Sequence, residues 1–154
     1  MIVDDSPENL TVLSELLQPI YLVRAATSGQ KALRIVVTAP RPDLILLDVM
    51  MPEMDGYQVF DQLRADPATR DIPVIFVTAM NKSESELQGL SVGAADYITK
   101  PIVPAIVLAR IRTQLELKQA RDRLTDQNTW LEAEIARRME ENDIIQEVSI
   151  RALA

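Results

Sequence analysis

The chain contains no cysteine and no histidine. The first absence excludes disulfides, thiolate metal sites and a cysteine nucleophile. The second excludes a Ser-His-Asp triad, a histidine-ligated metal centre and a phosphohistidine within this chain. No apolar run is long enough to cross a membrane, and the first residues lack the pattern of a signal peptide. A cytoplasmic protein, or part of a larger one, is therefore expected. Positive charge is in deficit, with a net charge of −7. That speaks against direct nucleic-acid binding, which needs a basic patch. Carboxylates, hydroxyls, lysine and a borrowed ion are left to carry any chemistry. Hydrophobic residues make up 47% of 154 positions, enough for the core of one ordinary domain with an appendage.

The chain is organised around Leu44-Ile45-Leu46-Leu47-Asp48-Val49-Met50-Met51-Pro52. Four branched apolar residues in a row read as a strand buried on both faces, as in a parallel sheet. Pro52, Asp55 and Gly56 then make a loop. Asp48 thus stands at the carboxyl end of a central strand, where open α/β sheets place their ligands. By itself it could equally be the first residue of a turn.

Strands and helices alternate around this stretch. Ile2-Val3 ends a first strand, and Ser6-Pro7 reads as the N-cap and first position of a helix carrying Leu10, Leu13, Leu16 and Leu17. A second strand is predicted over Tyr21–Ala26, and a second helix after Ser28-Gly29 with Ala32, Ile35, Val36 and Ala39 inward. A third helix over Tyr57–Ala65 buries Val59, Phe60 and Leu63. A strand over Pro73–Thr78, a helix over Ser83–Val92 and a short strand over Asp96–Thr99 follow. Five such alternations predict an α/β fold, a doubly wound five-stranded parallel sheet.

Four predicted strands end in a reactive group: Asp4-Asp5, Asp48, Thr78 and Lys100. In a parallel sheet those ends share one edge. Each has an ordinary reading as a cap, a turn or a solvated charge; the shared rim is what favours a site. Clustered carboxylates repel, so one should protonate or a cation should bind. A hard oxygen site for Mg²⁺ fits residues of these types. Mg²⁺ and Lys100 could face the oxygens of a phosphoryl group, Thr78 could donate to one, and Asp48 could act as nucleophile.

These residues, with Asn9, Asp43, Met51-Pro52-Glu53-Met54-Asp55-Gly56, Ala79, Gly93-Ala94-Ala95-Asp96-Tyr97 and Thr99-Lys100-Pro101, resemble the receiver domains of two-component response regulators. The resemblance spans residues 1 to about 115 and implies a flavodoxin-like (βα)5 fold. It implies that Asp48 takes phosphate from the phosphohistidine of a sensor histidine kinase or phosphotransfer protein. It further implies that Asp4, Asp5, Asp48 and the Met50 backbone carbonyl hold Mg²⁺ (or Mn²⁺). Thr78 and Ala79 then meet the phosphoryl group, Lys100 pairs with it, and Lys100-Pro101 is cis. Thr78 and Tyr97 match the family's switch pair, which repositions the fourth helix, fifth strand and fifth helix. The sequence departs from the pattern in its first strand, which is shorter than the family's.

From Ile102 onward the character changes. No proline or glycine follows Pro104, and Leu, Ala, Glu, Arg and Gln dominate. One continuous helix is expected, with a receiver over 1–116 and a signalling helix over 117–154. Leu117, Leu124 and Leu131 recur every seven residues, with Asn128 and Ile135 at the other seam position. This predicts a parallel two-stranded coiled coil, a homodimer in which Asn128 helps fix register. Arg121 and Arg138 weaken the seam, and the pattern drifts after Ile135. A single amphipathic helix folded on the sheet is the competing reading. The segment Asp143–Ala154 resembles the junction before HD-GYP cyclic di-GMP phosphodiesterase domains, so an output domain of that kind is expected. A GGDEF cyclase or another output is the alternative. This chain is therefore expected to be a regulatory phosphoacceptor and not an enzyme. A Mg²⁺-dependent aspartyl-phosphate phosphatase would usually need a second Asp where Met50 stands. A purely structural dimerisation module would not need the full Asp-Asp-Asp-Thr-Lys set.

Overall fold

The computed structural model describes residues 1–79 and 93–153. Five strands, β1 (Ile2–Val3), β2 (Ala25–Ala26), β3 (Ile45–Asp48), β4 (Val74–Thr78) and β5 (Asp96–Thr99), form one sheet in the order β2-β1-β3-β4-β5. All four pairings are parallel. The helices are α1 (Pro7–Leu17), α2 (Gly29–Val36), α3 (Gly56–Ala65) and a last helix, α4 (Pro104–Leu153). The helix predicted over Ser83–Val92 lies outside the described residues. The strand order is that of the expected flavodoxin-like α/β fold.

Residue alternation along β3 builds the two layers. Ile45 and Leu47 face a cluster with Ala32, Val36, Val59, Phe60 and Leu63, from α2 and α3. Leu44 and Leu46 face the other way, onto Leu10, Leu13 and Leu17 of α1 and Val107 and Ile111 of α4. A strand covered on both faces must be apolar at successive positions, which explains the unbroken run.

Helix starts are held by side chains. Ser6 caps α1 by accepting from the Asn9 amide, and Ser28 caps α2 through Lys31. Asp55 and Gln58 form a reciprocal capping box at α3.

Two expectations need correction. β2 covers only Ala25–Ala26, because its sole partner is β1 and the pairing runs Ile2 with Ala25 and Val3 with Ala26. Tyr21 instead donates its amide to Leu17 and completes the turn after α1. Ala39 is exposed, since α2 ends at Val36 and the chain turns away before it can face the core.

The chain divides into two compact units, Met1–Leu115 and Glu116–Ala154. Among the described residues, no helix is long and apolar enough to cross a membrane.

Candidate phosphoacceptor site

The strand register builds the site. Val3 pairs with Leu47, so Asp4 follows on β1 where Asp48 ends β3. Asp48 pairs with Val77, and Thr78 with Thr99, which places Lys100 just beyond. Three side chains therefore converge on one edge from residues 96 positions apart in the chain.

Asp4 and Asp48 are 2% and 3% exposed, and Asp5 is exposed. Oxygens of all three carboxylates lie within 4.8 Å of one another. Asp4 is held from several sides: it accepts from the Ser6 amide at 2.9 Å and from Asn9 Nδ2 at 3.2 Å. Lys100 Nζ stands 3.5 Å from both Asp4 Oδ2 and Asp48 Oδ1. One ammonium thus faces two buried carboxylates, so their repulsion is only partly met. Burial, and next the charge of Asp4, push the Asp48 carboxyl up to about 6, with Lys100 opposing and Asp5 adding to the rise. This donor set, all hard oxygen and open to water at Asp5, fits Mg²⁺ or Mn²⁺.

The surrounding loops hold Asp48 in place. The Gly56 amide donates to the Val49 carbonyl at 2.9 Å, folding the loop back over the strand end. A Cβ at Gly56 would lie 2.4 Å from the Asp48 carbonyl oxygen, so only glycine fits this approach. Glu53, inside the loop, has a φ of 66°. Met50 is 62% exposed, and Ala79 is also exposed. Across the edge, the Lys100 amide donates to the Thr78 carbonyl at 2.8 Å, and the Lys100-Pro101 bond is cis. Thr78 is 1% exposed.

Tyr97 is half-buried on β5. Its amide donates to Asp96 Oδ1, which also pairs with Arg110 Nη1 at 2.7 Å. The Arg110 guanidinium carbon lies 5.8 Å from the centre of the Tyr97 ring. The sequence reading missed Arg110. The signal available was its helical spacing from Val107 and Ile111, which puts it beside the buried face of α4.

The sequence pattern of the response regulator receiver domain matches residues 1–112. The chain belongs to that family. A protein of Vibrio cholerae named "Probable cyclic di-GMP phosphodiesterase" is 44% identical over 154 residues, covering all of this chain and 35% of that protein. Response regulator PleD of Caulobacter vibrioides is 42% identical over 125 residues, covering 80% of this chain and 27% of that protein. The chain thus spans about a third of the length of these curated relatives. The crystal structure of a receiver domain from a Syntrophus aciditrophicus signal transduction histidine kinase is similar, with a TM-score of 0.67 and 36% identity. That likeness covers 75% of this chain and 87% of the other. The receiver is a regulatory module, and its acidic cluster occupies the carboxyl edge of the sheet.

The residues predicted to form a seam all belong to the second unit, Glu116–Ala154. Leu117, Leu124, Leu131 and Ile135 are between 49% and 60% exposed, and Asn128 is exposed.

Proposed function

We propose that this receiver accepts a phosphoryl group on Asp48 from a sensor histidine kinase or phosphotransfer protein. The observation that carries the reading is the buried carboxylate of Asp48, which shares the Lys100 ammonium with Asp4 at the sheet edge. In the transfer, an Asp48 oxygen attacks phosphorus in line with the donor's histidine nitrogen. The new P–O bond forms as the P–N bond breaks, and the nitrogen keeps the electron pair. Asp4, Asp5, Asp48 and the Met50 carbonyl would hold Mg²⁺ (or Mn²⁺), which when bound offsets negative charge on the phosphoryl oxygens. Lys100, at 3.5 Å from each carboxylate, has long contacts that it can exchange for a phosphoryl oxygen. The Thr78 hydroxyl and the Ala79 amide serve as donors to the other oxygens. Movement of Thr78 toward the phosphoryl group frees space for Tyr97 to turn inward, which alters the surface of β5 and α4.

The altered state reaches an output domain through a dimer of the last helix, paired along Leu117, Leu124, Asn128, Leu131 and Ile135. A cyclic di-GMP phosphodiesterase is the output we favour. The Vibrio cholerae relative supports it, since its 44% identity runs through the helix as well as the receiver. A cytoplasmic location suits such a partner set.

Beryllofluoride with Mg²⁺ tests the reading. Titration calorimetry should show saturable binding to the wild-type chain and none to Asp48→Ala. Equal binding by both proteins, or none by either, would reject it.

A further inference from the structure

The side chain of Asn9 serves no need of helix α1. Asn9 stands at the third position of that helix, where Ser6 caps the helix by accepting from the Asn9 backbone amide. Any residue but proline supplies that amide. Asparagine is also a weaker helix former than alanine. The side chain is half-buried, and its Nδ2 reaches Asp4 Oδ2 at 3.2 Å. An ionised carboxylate only accepts, so the NH₂ of Asn9 and not its carbonyl faces Asp4.

The donors to Asp4 are divided between its two oxygens. Oδ1 takes the Ser6 amide at 2.9 Å, while Oδ2 takes Asn9 at 3.2 Å and Lys100 Nζ at 3.5 Å. Lys100 Nζ stands at the same 3.5 Å from Asp48 Oδ1. At 2% exposure, Asp4 has almost no water to replace a donor that leaves. Once Lys100 turns away from Asp4, Asn9 is the donor still in place at Oδ2. That donor is neutral. It satisfies the oxygen without cancelling the charge of the carboxylate, so the acidic cluster keeps its attraction for a cation.

We propose that Asn9 is a positioning residue for phosphoryl transfer: its amide holds Asp4 Oδ2 while Lys100 moves from Asp4 to the phosphoryl group on Asp48. The proposal rests on the phosphoacceptor reading above and deepens it, by giving Asn9 the part of freeing Lys100. Without Asn9, Lys100 either stays on Asp4 or leaves a buried carboxylate oxygen without a donor.

Asn9→Leu keeps the approximate size of the side chain and removes the donor, and Asn9→Ala removes it without adding bulk. Urea unfolding of the full chain in EDTA would establish that each variant folds. Two dissociation constants would then be compared with wild type: that of beryllofluoride at saturating Mg²⁺, by calorimetry, and that of Mg²⁺ alone, by NMR shift titration. The beryllofluoride constant should rise about tenfold, the effect of one lost donor to a buried carboxylate. The Mg²⁺ constant should move by less than about threefold, because Lys100 stays with Asp4 until a phosphoryl mimic is present. Equal weakening in both titrations means that Asn9 only places Asp4 for the cation, and rejects the release of Lys100. Unchanged beryllofluoride affinity in a folded variant rejects any positioning role. Loss of a cooperative unfolding transition in both variants makes Asn9 structural and also rejects the proposal. Failure of the wild-type chain itself to bind beryllofluoride rejects the phosphoacceptor reading, a result distinct from a failure of Asn9 alone.

Discussion

Met1–Leu115 buries two carboxylates, Asp4 and Asp48, at 2% and 3% exposure. Glu116–Ala154 instead carries a recurring row of exposed apolar residues: Leu117, Leu124 and Ile135, with Trp130 beside them, all exceed half exposure. Both features cost free energy in the isolated chain, and each is relieved by something added. Buried carboxylates are relieved by a proton, a cation or a phosphoryl group. Exposed apolar rows are relieved by another surface. The receiver is thus unfinished electrostatically and the helix hydrophobically, so separate substitutions should perturb one without the other.

The largest effect should come from Gly56→Val. Its Cβ would meet two backbone atoms, the Asp48 carbonyl oxygen at 2.4 Å and Val49 Cα at 2.9 Å. Neither can move without shifting β3, so a loss of about 3 kcal/mol is expected in urea unfolding. Lys100→Met comes next. It leaves Asp4 and Asp48 without their shared counter-charge, at a cost of about 2 kcal/mol near neutral pH that shrinks on acidification.

Asp48→Asn should act in the opposite direction. The Asp48 carboxyl is raised to about 6, so the folded state holds its proton more tightly than the unfolded state does. The stability due to that proton is present in full below the unfolded value and lost as pH rises through about 6. In metal-free buffer, Asp48→Asn should therefore be more stable than wild type by about 1 kcal/mol at pH 7 and equal to it near pH 4. Added Mg²⁺ should stabilise only the wild type. Arg110→Ala removes a partly exposed pair with Asp96 and should cost about 0.5 kcal/mol. Leu124→Asp should leave receiver unfolding unchanged while abolishing any dimer seen by light scattering. A coupled loss of receiver stability would break the comparison between the units.

The parts of the site legible in sequence are those written into local pattern. The Leu44–Leu47 run marks a strand covered on both faces, and its carboxylate tip follows directly. Ser6-Pro7 and Asp55 announce helix starts through hydrogen bonds only three residues long. The extent of β2 was not legible, because its length is decided by how much of β1 lies beside it. The different burial of Asp4 and Asp5 was hidden as well: alternation separates them, and pairing with the Asn9 side chain and Ser6 amide settles which is inside. Arg110 went unnoticed because its partners, Asp96 and Tyr97, lie on the preceding strand, with Asp96 14 residues away and outside the reach of helical spacing. Contacts of that range leave no trace in a window of neighbouring residues.

The most direct measurement of the central claim is intact mass after incubation with a small-molecule phosphodonor and Mg²⁺. Wild type should gain one phosphoryl group, labile as an acyl phosphate is, and Asp48→Ala should gain none. Equal labelling of Asp48→Ala, or an unlabelled wild type, would contradict Asp48 as the phosphoacceptor.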